Sequence, residues 1–263
     1  YDSNGRVDTL TDASGAWDYN FSTSSTAVLA DVSGPAGQGY DTVADGGRVW
    51  SYTNAANETT SFNWTSGLLD SVLYPEGNSV TYAYDARGNV TEVTANPKPN
   101  SGLSAVTTYT AFPTACTDTG VDITNCNLPL STTDAGGFTT NYSWSIDHGG
   151  LLSVTLPAPY STGDRPQTRI SYSSFNAYYR SGPTTWQSGS AITLPVEVSA
   201  CATGAPTSCD GAAAEVVTTF AYGSSGVMNN LLPTVVSSGA GNASPISVVT
   251  TSWTPLGDAL EID

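Results

Sequence analysis

Basic residues are nearly missing from this chain. Lysine occurs once, at Lys98, and histidine once, at His148. Seven Lys+Arg stand against 23 Asp+Glu, for a formal charge of −16. A surface of that sign repels phosphate backbones, which argues against a nucleic-acid partner. It also disfavours anionic membranes. No apolar run approaches the roughly 20 residues of a membrane-spanning helix, so direct insertion is not expected either. Charged residues of both signs are only 11% of the chain. The Glu, Lys and Arg that sustain exposed helices are therefore scarce, which argues against a helical protein. The 39% apolar content and 14 tyrosines argue against disorder. At 263 residues the chain is long enough for one large β domain or two average ones, and to bury a sizeable core.

What is plentiful is glycine (26), proline (15), serine and threonine, the profile of many short strands joined by turns. A phrase, aromatic-x-x-x-Gly-x-apolar, recurs at Tyr1–Val7, Tyr84–Val90, Tyr222–Met228 and Trp253–Ala259. Residues 146–152 fit with Ile146 in the aromatic position, and 43–49 with Val43. In 63–69 the aromatic, Trp64, comes one place late. After each phrase come a short apolar stretch, a turn, and a strand of period two. Trp17, Tyr19 and Phe21 alternate, as do Val80, Tyr82 and Tyr84, and Val216, Thr218, Phe220 and Tyr222. Strict alternation marks strands with one buried face, so each unit reads as strand, turn, strand. The expected fold is all-β: roughly eight stacked hairpin units over residues 1–263, forming one continuous, curved or spiralling sheet. The glycine supplies the positive φ of the chain reversal. The aromatic stacks on the same position of the next unit. The residues assigned to building the repeat are Tyr1, Asp2, Gly5, Tyr84, Asp85, Gly88, Gly150, Tyr222, Gly226, Trp253 and Gly257. Both chain ends fall inside a repeat, so a longer natural polypeptide is expected.

The four cysteines form two local pairs, Cys116 with Cys126 and Cys201 with Cys209, each closing a turn-rich insertion. Two loop-closing disulfides and an oxidising, extracellular setting are expected. Zinc is the competing reading, but C-x₂₋₄-C spacing is absent and His148 is far from both pairs in sequence.

"YDSNGRV" at 1–7 and "SVTYAYDARGNV" at 79–90 resemble the YD-repeat, or RHS-repeat, family, whose motif is roughly Y-D-x-x-G-R-[LV]. The second copy departs at Asn89, and the weaker units keep the glycine and the strand without the Tyr-Asp pair. The resemblance implies a scaffold rather than a catalyst. Members include bacterial polymorphic toxins, insecticidal toxin-complex subunits and teneurins. Their hairpins wind into a shell, which encloses a toxic domain in the toxins. It implies as partners the rest of the chain's own array, an enclosed toxin domain, or further copies in a surface fibre.

Candidate chemistry is thin. His148 beside Asp147 invites a Ser/His/Asp reading, but it sits in a turn and no G-x-S-x-G elbow is present. Asp118, Asp122 and Asp164 are the acids a glycan-cleaving enzyme would use, and turn chemistry explains them equally. No cofactor is expected. Calcium in the 116–126 loop is the one candidate, without an EF-hand or nonapeptide pattern. Trp50 and Trp186 lie outside the repeat's aromatic position and are the candidates for stacking a sugar, which would make the chain an adhesin. Asn57 and Asn141 stand among the Asn-x-Ser/Thr sequons that a glycosylating host would use.

Overall fold

Short runs of Thr, Val, Tyr and Trp suit a pleated, half-buried surface, and a turn signal interrupts them about every ten residues. A computed structural model shows the outcome for residues 1–23, 28–35, 39–114, 116, 124–160, 163–182, 185–201, 215–226, 230–241, 245–254 and 258–262. They form nineteen strands and no α-helix. The chain divides into two compact units, Tyr1–Thr110 and Ala111–Asp263. The first unit contains β1 (Thr9–Asp12), β2 (Gly15–Thr23), β3 (Val28–Ser33), β4 (Gly39–Asp45) and β5 (Arg48–Asn54). It continues with β6 (Thr59–Thr65), β7 (Leu68–Leu73), β8 (Ser79–Tyr84), β9 (Val90–Asn96) and β10 (Val106–Ala111). The second contains β11 (Ser131–Thr133), β12 (Thr139–Trp144), β13 (Leu151–Thr155), β14 (Gln167–Arg180) and β15 (Trp186–Cys201). It ends with β16 (Glu215–Tyr222), β17 (Pro233–Ala240), β18 (Ser247–Trp253) and β19 (Ala259–Ile262). Within each unit, sequence neighbours pair antiparallel, as β8 does with β9 and β16 with β17.

The period-two pattern sorts side chains onto two faces. Val80 faces Ala95, Tyr82 faces Val93 and Tyr84 faces Val90, while Thr81 faces Thr94 and Ala83 faces Glu92 between them. The first set makes an apolar, aromatic face and the second a polar one. Hydroxyl pairs knit the polar face, at Thr53–Thr59, Thr94–Thr107 and Thr133–Thr139, each 2.9 Å apart.

Among the described residues the sizeable core that the chain length allows is not formed. Among the described residues only Val32, Val72, Cys126 and Cys201 are buried apolar groups. The strand pairings among the described residues run sideways from hairpin to hairpin, so the apolar faces gain neighbours along the sheet.

The turn glycines Gly5, Gly88 and Gly226 take φ of 77°, 87° and 80°. In the phrase at 146–152 the positive φ falls on Gly149 (69°) and not on Gly150. That turn is one residue longer. Ser145 N–H donates to Gly150 O and Gly149 N–H to Ser145 O, where Asp85 N–H donates to Asn89 O and Gly88 N–H to Asp85 O. The aromatic position there belongs to Trp144, not Ile146. Gly257 lies outside the described residues. Cys116 and Cys126 are joined, with Cα atoms 5.5 Å apart. Cys201 is also disulfide-bonded, and Cys209 lies outside the described residues.

A Cβ added at Gly88 would meet nothing nearer than Leu68 Cδ2 at 3.8 Å, so the glycine is there for its backbone. Gly88→Ala should therefore cost about 1–2 kcal/mol through left-handed strain alone. Urea unfolding measures this, and an unchanged midpoint would show that the turn does not require glycine.

Candidate functional site

Tyr84 ends β8 on the apolar face. Its ring packs into that face, and its hydroxyl needs a partner. It donates to Leu69 O across 2.7 Å. The same bond recurs at five more aromatics among the described residues. Trp64 Nε1 donates to Val49 O at 2.8 Å, and Trp144 Nε1 to Pro129 O at 2.7 Å. Tyr172 and Tyr222 hydroxyls donate to Leu151 O at 3.0 Å and to Pro195 O at 2.6 Å. Trp253 Nε1 donates to Pro233 O at 2.8 Å.

The acceptors follow a rule. At each aromatic the register with the following strand slips. Asn63 faces Ser71 but Trp64 faces Leu69, which leaves Asp70 as a bulge. Ser143 faces Ser153 but Trp144 faces Leu151. Ser171 faces Glu197 but Tyr172 faces Pro195, and Ala221 faces Val235 but Tyr222 faces Pro233. A bulge breaks the strand ladder locally. The residue that faces one aromatic across its bulge offers its carbonyl to the next aromatic. Leu69 faces Trp64 and accepts from Tyr84. Leu151 faces Trp144 and accepts from Tyr172. Pro195 faces Tyr172 and accepts from Tyr222. Pro233 faces Tyr222 and accepts from Trp253. Proline suits this place because a bulge tolerates a missing N–H. Burial raises the Tyr84 and Tyr222 phenol pKa values above the usual range, which keeps the donated proton in place.

The aspartate of the phrase clamps the turn. Asp2 Oδ1 accepts from the N–H groups of Asn4 and Arg6, and Arg6 Nε donates to Oδ2 at 2.7 Å. Arg6 also lies 4.5 Å from the Phe21 ring centre. In the second copy Asn89 stands where the motif has arginine, and its Nδ2 donates to Asp85 Oδ2 at 2.9 Å. Arg87 supplies the positive charge at the same oxygen, 2.9 Å away. Asn54 clamps its own turn through Ala56 and Glu58 N–H, and Asp134 does so through Gly136 and Phe138. Bonds from the Arg6 N–H and side chain hold Asp2 at a pKa of about 2, and the Asn89 side chain does most of the same for Asp85.

The remaining candidates are not brought together. Tyr1 is 88% exposed. Trp50 is the bulged residue opposite the Val43–Ala44 slip, and Trp186 opens β15 with the Arg180 guanidinium 5.8 Å from its ring centre. The two tryptophans belong to different units. His148 Nδ1 accepts from Gly150 N–H and its ring packs 4.7 Å from that of Tyr172, so its contacts are those of a turn. Asp164 is exposed, and Asp118 and Asp122 lie outside the described residues. Among the described residues, no group of three or more His, Cys, Asp or Glu converges as metal ligands would. Tyr172 escaped the sequence pattern because no x-x-x-Gly follows it. The proline acceptors left a trace in Leu-Pro pairs at 128–129, 194–195 and 232–233.

Residues 64–97 match the family described as RHS Repeat. Over that segment the chain is similar to an RHS repeat. The matched segment opens on Trp64 and contains the whole bond from Tyr84 to Leu69. No curated protein matches the chain. Among solved structures, a crystal structure of TcdB2-TccC3 is 13% identical, with a TM-score of 0.42, over 97% of this chain and 16% of that one. A TcdB2-TccC3-TEV crystal structure gives 13% and 0.41 over 97% and 16%. A Photorhabdus luminescens Tc holotoxin pore gives 12% and 0.39 over 96% and 15%. The chain thus spans about a sixth of those chains.

Tyr84→Phe removes one donor while keeping the ring, and should cost about 1 kcal/mol in urea unfolding. An unchanged midpoint would mean that ring packing alone sets the position. The clamps give an acid limb. A carboxylate held at about 2 in the fold, against 3.8 normally, stabilises the fold fully above pH 4. That contribution is lost as pH falls toward 2. Asp85→Asn keeps the acceptor, as Asn54 does, and removes the titration. Its stability should fall less steeply than wild type between pH 4 and 2.

Proposed function

We propose that this chain is a non-catalytic, extracellular scaffold: a stretch of wall in an RHS-type shell that surrounds a cargo polypeptide. The observation that carries this reading is where the recurring residues are used. The aromatic, the aspartate and the glycine of the phrase all serve turns and hairpin-to-hairpin bonds. The RHS repeat at 64–97 contains one complete step of that pattern. The disulfide of Cys116 and Cys126 suits an oxidising setting outside the cell. A net charge of −16 with few exposed cations suits a soluble wall that avoids nucleic acid and anionic lipid.

Protease protection tests this reading in the protein produced from its full natural reading frame. A segment outside the repeats should resist cleavage at neutral pH and become cleavable once acid opens the array. Equal cleavage under both conditions would refute the shell. A glycan panel run on the 263-residue chain should show neither turnover nor binding that depends on Trp50 or Trp186. Turnover would overturn the scaffold reading, and tryptophan-dependent binding would make the chain an adhesin.

A further inference from the structure

One hairpin outgrows its sheet. β14 and β15 run for 14 and 16 residues, while their neighbours β13 and β16 run for 5 and 8. β13 pairs with β14 only from Gln167 to Arg169, and β16 pairs with β15 only from Glu197 to Cys201. Beyond those points β14 and β15 continue together, out to Arg180 facing Trp186. At about 3.3 Å per residue the run from Tyr172 to Arg180 extends about 30 Å. This is a two-stranded arm, and an isolated two-stranded hairpin is marginally stable in water.

The two long edges of the arm are treated differently. Asn230, 5% exposed, reaches the β14 side: its Oδ1 accepts from Tyr178 N–H at 3.1 Å and its Nδ2 donates to Asn176 O at 2.8 Å. The Phe175 ring packs at a tilt against that of Tyr222, with centres 4.9 Å apart. Among the described residues, the β15 side has no strand beyond it from Trp186 to Leu194. A bulge near Gly189 breaks this edge, and Ala191–Leu194 form its regular part. Edge strands are ordinarily blunted with charge, especially lysine, or with proline. The stretch "WQSGSAITL" at 186–194 contains no charged residue and no proline. Ile192 is 41% exposed there, in a chain that keeps its single lysine elsewhere.

We propose that the outer edge of β15, centred on Ala191–Leu194, is a strand-addition site for an extended polypeptide segment of net positive charge. Main-chain N–H and C=O groups supply the affinity in such an addition, and the flanking side chains supply the choice. Electrostatics selects the occupant. A second copy of this chain brings another −16 and is repelled, whereas a basic segment is drawn toward the acidic surface. The inference stands apart from the shell reading, since it concerns the arm's edge and not what the repeats enclose.

Amide hydrogen exchange on the intact chain tests it. The probes are a short peptide of alternating threonine and valine ended by lysines, and its glutamate-ended counterpart. The lysine-ended peptide should slow exchange at alternate amides of Ala191–Leu194, on the order of tenfold at saturation. Added salt should weaken the effect. Thr193→Pro should abolish it while circular dichroism stays unchanged. If that variant loses its fold, the wild-type exchange pattern alone decides the matter. Slowing that is absent, that falls outside the arm, or that is equal with both peptides would overturn the proposal. So would protection of Ala191–Leu194 that rises with chain concentration, because a second copy would then hold the edge.

Discussion

The structure depends on one carbonyl per repeat. Among the described residues, antiparallel hairpins satisfy much of their backbone through the strand ladder, and the ladder breaks at the bulges. There the next aromatic supplies the donor. Leu69, Leu151, Pro195 and Pro233 each receive an indole or phenol from the following hairpin. The bond joins neighbours only, so each step supports the next, as in other repeat arrays. With so few buried apolar groups, bonds of about 1 kcal/mol each carry weight that a large core would otherwise bear.

Charge follows the same economy. Arg6 is held by Asp2, Arg87 by Asp85, Lys98 by Glu76, and Arg169 lies 3.8 Å from Glu215. Arg165 spends its guanidinium on the carbonyls of Leu156, Thr139 and Thr155. The few cations are thus largely engaged inside turns and along strands, and most of the acids are left facing water. The formal charge of −16 is therefore a property of the surface and not only of the composition.

Much of this was legible in the residues. Period-two alternation placed the strands, because a sheet with unlike faces repeats every second residue. "YDARGNV" announced its own turn, since Asp85 and Gly88 have local roles that neighbouring residues complete. What stayed hidden needed a partner distant in sequence. Nothing around Leu69 says that its carbonyl waits for Tyr84, 15 residues on. Ile146 filled the pattern's aromatic position because the pattern aligned on Gly150 rather than Gly149 and the turn is one residue longer, which together set Trp144 two places back. The long arm does not follow from local pattern either, because it depends on where strands stop pairing.

That same division explains why the repeat tolerates insertions. The bond from aromatic to carbonyl spans 15 residues in the short units and 27 between Pro195 and Tyr222. Its length stays between 2.6 and 3.0 Å across these spans. The bond fixes the base of a hairpin and leaves its far end unconstrained. Extra chain accumulates away from the ladder in the β14–β15 arm. A loop added there costs little more than its closure entropy, which grows slowly with length. The ladder thus separates the two demands on the chain. The strand-end residues keep the array in register, and the distal ends remain available to vary.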